Sequence, residues 1–228
     1  MRVPFASPRA ARALALSGLF TALAPLSALA APTSVTVIGD LQSEAGCAAD
    51  NDPTCAQTAL AYDAVDDVWQ GSFNVPVGTW RFKVALDGSL SQTHGGPGGA
   101  DIVLNQTTAG AVKFYFDAKT NYVASNRSST IATVAGTLQS ELGCPGDWSP
   151  DCLRSMMQDP DGDGIYTFTT KALPVGAYEC KVALDEGWAT AYPGSNASFA
   201  VTEEGQEMVI TFDSGESKKV TIRAAGAP

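Results

Sequence analysis

The sequence predicts an all-β protein built from two tandem antiparallel β-sandwich modules. Three observations carry this. First, the chain repeats itself: Gly39-Asp40-Leu41-Gln42-Ser43-Glu44-Ala45-Gly46-Cys47 returns 97 residues later as Gly136-Thr137-Leu138-Gln139-Ser140-Glu141-Leu142-Gly143-Cys144. Further on, Lys83-Val84-Ala85-Leu86-Asp87 returns as Lys181-Val182-Ala183-Leu184-Asp185, now shifted by 98. A solenoid unit spans about 20–50 residues, so this longer period marks a duplicated small domain. Second, apolar residues alternate with period two rather than 3.6. Third, Gly, Pro, Asn and Asp punctuate every gap, giving turns roughly every 8–12 residues, as in an immunoglobulin-like sandwich.

The elements follow in order. Residues 1–30 read as a secretory signal peptide: Arg2, Arg9 and Arg12 form a basic start, an apolar run follows, and Ala28-Leu29-Ala30 fits a cleavage site. The first module is expected over 34–123, a polar linker over 124–130 and the second module over 131–223. Each module opens with a strand, Ser34–Ile38 and Ile131–Ala135, closed by glycine. Alternation along Trp80–Leu86 places Trp80, Phe82 and Val84 on one face and Arg81 and Lys83 on the other. Tyr178, Cys180 and Val182 repeat that face. Late strands are expected at Val112–Asp117 and Met208–Asp213, each followed by a further strand. Only Thr54–Leu60 and its counterpart Asp151–Met157 carry a short helical turn.

Composition narrows the function. The formal charge is −10, and removing the leader, with three arginines and no acids, takes it to −13. Such a surface repels phosphate, so nucleic acid and anionic membranes are set aside as partners, while a neutral polymer is not. Four of the five cysteines form two matching C-x7-C loops, Cys47/Cys55 and Cys144/Cys152. In an exported chain these read as one disulfide per module, since His94 is the only histidine available to a zinc site. Cys180, matched by Phe82, reads as a small core residue.

No catalytic signature stands out. His94 aligns with Tyr192, so the copies share no histidine, and neither a nucleophile elbow nor a phosphate loop occurs. No enzyme activity, cofactor or catalytic metal is expected. Asp159-Pro160-Asp161-Gly162-Asp163-Gly164 imitates the start of a calcium loop, but its twelfth position is Thr170 where a glutamate is needed. A β-turn is the preferred reading, with structural calcium as the second.

The motifs L-Q-S-E-x-G-C-x7-C, D-D-x-W-x-G-x-F, K-V-A-L-D-G-S, G-G-P-G-G-A-D-I and K-F-Y-F-D-x-K-T occur here in that order. In this respect the mature chain resembles, twice over, the accessory β-sandwich module found beside the catalytic domains of secreted pullulanases and amylopullulanases. The resemblance implies an α-glucan-binding module with tryptophan at the positions of Trp148 and Trp188 and an aromatic at Tyr192. The first copy departs from this, with Asn51, Leu90 and His94 in the same places. Sugar C–H faces stack on exposed aromatic rings while hydroxyls seek polar partners. The candidate carbohydrate-binding residues are therefore Trp148, Trp188, Tyr192, Lys181 and Asp185. Packing within the loops is the competing reading for the two tryptophans, and simple solvation for Lys181 and Asp185. Trp69 and Trp80 read as core.

The expected function is a secreted, periplasmic or cell-surface protein that binds starch-like α-glucans (starch, amylopectin, pullulan), with a separate secreted amylolytic enzyme as a candidate partner. The alternative is a protein–protein adaptor or spacer built from the same modules.

Overall fold

The computed structural model describes Met1 and residues 31–226, so the signal-peptide reading, Met1 apart, lies outside the described residues. Module 1 contains β1 (Val35–Gly39), β2 (Ala59–Asp63), β3 (Val68–Val75), β4 (Gly78–Leu86), β5 (Ser89–His94), β6 (Ile102–Gln106), β7 (Gly110–Asp117) and β8 (Tyr122–Ser125). Module 2 contains β9 (Ala132–Gly136), β10 (Ile165–Thr170), β11 (Gly176–Leu184), β12 (Gly187–Val201), β13 (Met208–Asp213) and β14 (Val220–Ala224). The strand count is eight and six, and every strand pairing is antiparallel. The helical turns shrink to 3₁₀ pieces at Ala56–Thr58 and Leu153–Ser155, with two more at Pro97–Gly99 and Ser140–Leu142.

In module 1, β4 is flanked by β1, β5 and β6, while β2-β3-β7-β8 forms the second layer, joined to the first where β1 meets β2. Module 2 repeats this as β12-β11-β9 against β10-β13-β14, with β12 replacing β5 and β6. Phe82, Val84, Leu104, Phe114 and Phe116 fill the first core; Cys180, Val182, Ile210, Phe212 and Tyr178 fill the second. The alternation read along β4 and β11 is what the two layers bury. Trp80 packs against this core and donates Nε1 to the Pro76 carbonyl at 3.0 Å, as Tyr178 donates its hydroxyl to Pro174 at 2.8 Å. Trp69 also packs against the core. Cys180 is fully buried, and burial pushes its thiol up to about 12. The glycines closing the opening strands answer to close approach: a Cβ on Gly39 or Gly136 would collide with the carbonyl oxygen of Arg81 or Glu179.

Both disulfides form, Cys47–Cys55 and Cys144–Cys152. Each loop they close is held from within by the glutamine of the repeated L-Q-S-E motif. Gln139 is fully buried; its amide donates to the Ser149 carbonyl at 2.8 Å and to Ser155 Oγ at 3.2 Å, and its oxygen accepts the Ser149 N–H at 2.8 Å. Gln42 does the same to Asp52 and Thr58 in module 1. A buried amide whose donors and acceptor are partnered this way fixes a loop that has no strand of its own.

The segment read as a linker is structured. β8 runs through Ala124 and Ser125, both fully buried, and Ser128 folds back onto Ser125 through a 2.8 Å hydroxyl contact. A third apolar cluster spans the junction: Val68, Tyr115, Tyr122 and Ala124 from module 1 meet Ile131, Leu153 and Met156 from module 2. The equivalents of those last three in module 1 are Ser34, Ala56 and Ala59, all exposed. Polar contacts rim the seam. Leu153 N–H donates to Asp66 at 3.0 Å, Arg154 donates to the Val65 and Ala64 carbonyls at 2.7 and 2.8 Å, and Gln158 donates to Asp117 at 2.8 Å.

Leu153→Ala is expected to destabilise the chain by about 2–5 kcal/mol in urea unfolding, because a buried seam residue leaves a cavity. Placing leucine at Ala56, the exposed counterpart, is expected to change stability by less than about 0.5 kcal/mol.

Candidate functional site

The residues singled out in the sequence lie in the disulfide-closed loop of module 2, in strands β11 and β12, and in the turn between them. Trp148 lies inside the disulfide-closed loop, next to the Ser149 backbone gripped by Gln139. Its N–H reaches the Gly136 carbonyl at 3.3 Å. Its backbone is left-handed, with φ +58°, an uncommon setting for a bulky aromatic. Asn51 holds the same conformation in module 1 at φ +55°, and asparagine tolerates it far better.

Trp188 follows the two-residue turn joining β11 to β12. Leu184 pairs with Gly187, and Asp185 and Glu186 between them both have positive φ, +55° and +56°. That is the type I′ pattern, whose twist suits a hairpin. Trp188 is 46% exposed, and its ring centroid lies 6.3 Å from that of Trp148 at an interplanar angle of 42°. The disulfide loop and the hairpin thus bring two tryptophans from separate parts of the sequence into one pair.

The other candidates sit differently. Tyr192 pairs with Val182 across the hairpin and stacks on Phe212, centroids 5.5 Å apart, so much of its ring packs against the core. Lys181 lies at a β-bulge and donates Nζ to the Gly194 carbonyl at 2.7 Å. Asp185 is exposed; its N–H donates to the Ile131 carbonyl at 2.7 Å. Its module 1 counterpart Asp87 makes the same backbone bond, to the Ser34 carbonyl at 3.0 Å, and its carboxylate also accepts from Thr33 and Ser34, which lowers its pKa.

In module 1 the site positions are Asn51, Leu90 and His94. His94 stacks on Phe116 at 5.7 Å, in the manner of Tyr192 on Phe212. Burial lowers its pKa.

The carboxylates of Asp159, Asp161 and Asp163 come within 4.8 Å of one another. Asp159 already accepts the backbone N–H groups of Gly162, Asp163 and Gly164, and Asp163 accepts that of Ile165. Those bonds describe a turn, and burial raises the Asp159 pKa.

The sequence profile of the pullulanase X25 domain matches residues 34–123 and again 131–219. The chain belongs to the pullulanase X25 domain family. The X25 copies are 32% identical over 147 residues to an amylopullulanase of Thermoanaerobacterium saccharolyticum, covering 59% of this chain and 11% of that protein. An amylopullulanase of Thermoanaerobacterium thermosulfurigenes is 31% identical over 147 residues, covering 59% and 8%. The chain therefore spans about a tenth of the length of these curated relatives. Among solved structures, a pullulanase from Bacillus acidopullulyticus aligns at 22% identity with a TM-score of 0.38, covering 72% of this chain and 17% of that one.

The lowered pKa of His94 makes the unfolded chain the better proton acceptor. Its contribution to the stability of the first X25 copy is therefore complete above pH 6.5 and declines as pH falls below that value. His94→Tyr carries the ring the second copy already places there, and is expected to flatten this part of the profile. Urea unfolding of both proteins between about pH 5 and 8 checks it; identical slopes would assign the linkage to other groups.

Proposed function

We propose that this is an exported, non-catalytic protein that binds starch-like α-glucans such as amylopectin and pullulan, chiefly through module 2. The observation that carries the reading is the Trp148–Trp188 pair. A left-handed backbone costs a non-glycine residue about 1–2 kcal/mol, and strain of this kind concentrates at functional positions. Module 2 accepts it at Trp148 and leaves the neighbouring Trp188 46% exposed, whereas module 1 relieves the same backbone position with Asn51. Two tilted indoles, one on the disulfide loop and one at the start of β12, suit the stacking faces of consecutive sugar rings better than they suit a core. The names of the family and of the relatives, pullulanase and amylopullulanase, point to the same ligand class.

The remaining candidates take subsidiary roles. Asp185 offers a carboxylate to sugar hydroxyls, and Lys181 retains donors beyond the one given to Gly194. Tyr192 presents the rim of a ring whose face rests on Phe212. A separate secreted amylolytic enzyme is the working partner we assign, with the protein acting outside the cytoplasm at the cell surface or beyond it.

Affinity electrophoresis through gels containing amylopectin tests the reading. The intact mature protein is expected to be retarded, and Trp188→Ala to weaken binding by roughly tenfold or more, in line with the loss of one stacking aromatic. Absence of retardation of the intact protein overturns the assignment and favours a protein–protein adaptor.

A further inference from the structure

The turn that delivers Trp188 is also the turn that docks onto module 1. Glu186, separated from Trp188 only by Gly187, accepts two hydrogen bonds from Lys113 Nζ at 2.9 and 2.7 Å and one from the Tyr115 hydroxyl at 2.5 Å. Lys113 and Tyr115 both belong to β7 of module 1. Lys113 also lies 5.0 Å from the centre of the Tyr115 ring, so the three groups form one assembly. Tyr115 is 1% exposed and belongs to the seam cluster.

The duplication supplies its own control. At the same turn position module 1 has Gly88, with φ +66°, following Asp87 at φ +51°. Asp-Gly is the favoured type I′ pair, because glycine adopts positive φ without penalty. Module 2 has the same backbone with Glu186 at φ +56°. A turn on its own gains nothing from that exchange. The counterparts of Lys113 and Tyr115 are Val209 and Thr211, which could offer no such assembly to a carboxylate. The costly residue is therefore present only in the copy whose turn meets a cation and a phenol.

We propose that Lys113 and Tyr115 of module 1 are positioning residues for the glucan site of module 2, holding the Asp185–Glu186 turn, and with it Trp188, in register with Trp148. The glucan part of this rests on the function proposed above; the bracing of the turn does not. Module 1 then contributes to binding without contacting sugar, which accounts for its retention of the fold while Asn51, Leu90 and His94 replace the three aromatics. Charge-assisted hydrogen bonds on a half-buried carboxylate are strong enough to hold a two-residue turn.

The test uses the whole mature chain and two readouts. Glu186→Gly installs the residue module 1 uses at this position, so the turn itself stays compatible with its backbone. Its amides at 187–190 are expected to exchange with deuterium about tenfold faster in the absence of sugar, and its affinity for amylopectin to fall several-fold, with a lower unfolding midpoint because the buried Tyr115 hydroxyl loses its acceptor. Lys113→Met is expected to act the same way, and the swap Lys113→Glu with Glu186→Lys to restore part of both effects. Exchange and affinity at wild-type levels in Glu186→Gly would overturn the proposal. If the wild-type chain binds no glucan, the glucan role falls with that reading, and exchange at 187–190 still decides whether module 1 braces the turn.

Discussion

Each module depends on a side-chain amide in its interior. Gln139 and Gln42 are fully buried, and each exchanges hydrogen bonds with a loop about ten residues further along the chain. A disulfide limits the span of a loop without prescribing its path; the Ser140 N–H to Asp147 and Ser43 N–H to Asp50 bonds prescribe it together with the amide clamp. With it, Ser149 is fixed, and the left-handed backbone of Trp148 beside it has a rigid support. The same device serves Asn51 in module 1, and what differs between the copies is the side chain it displays.

Divergence after duplication followed two surfaces. One is the aromatic pair, present in module 2 only. The other is the seam, where Ser34, Ala56, Ala59 and Gly88 of module 1 stand opposite Ile131, Leu153, Met156 and Glu186 of module 2 in the alignment of the copies. Each replacement trades a residue suited to solvent or to a free turn for one suited to contact. Burying side chains of leucine, isoleucine or methionine size contributes about 1.5–3 kcal/mol apiece, enough to make the seam a substantial part of the stability of a protein with two small cores.

Much of the architecture was legible in the sequence because it is written in local pattern. Period-two alternation along Trp80–Leu86 placed Phe82 and Val84 in the core, the C-x7-C spacing gave the disulfides, and the matched Cys180/Phe82 pair identified a buried thiol. The candidate site was legible only as a set of residue types. That Trp148 and Trp188 lie 6.3 Å apart depends on how a disulfide loop and a hairpin meet, and no spacing in the chain encodes it. Tyr192 was legible only as an aromatic candidate, and the long β12 carries it onto Phe212. The polar stretch after Val123 read as a linker because serines and an arginine dominate it; Ala124 instead packs in one cluster with Leu153 and Met156, which lie far along the chain. Glu186 gave no local signal except that a glutamate stands where a glycine would be expected.

The seam also limits how far this mode of assembly can propagate. Docking is heterologous: β7 of module 1 presents the receiving face, and the β11–β12 turn of module 2 inserts into it. A head-to-tail contact of this kind normally allows each unit to receive the next, as in repeat arrays. Here neither end can continue it. Module 2 carries Val209 and Thr211 where a receiving lysine and tyrosine would be needed, and module 1 carries Gly88 where an inserting acid would be needed. The two copies are thus donor and acceptor in a single, non-repeating joint.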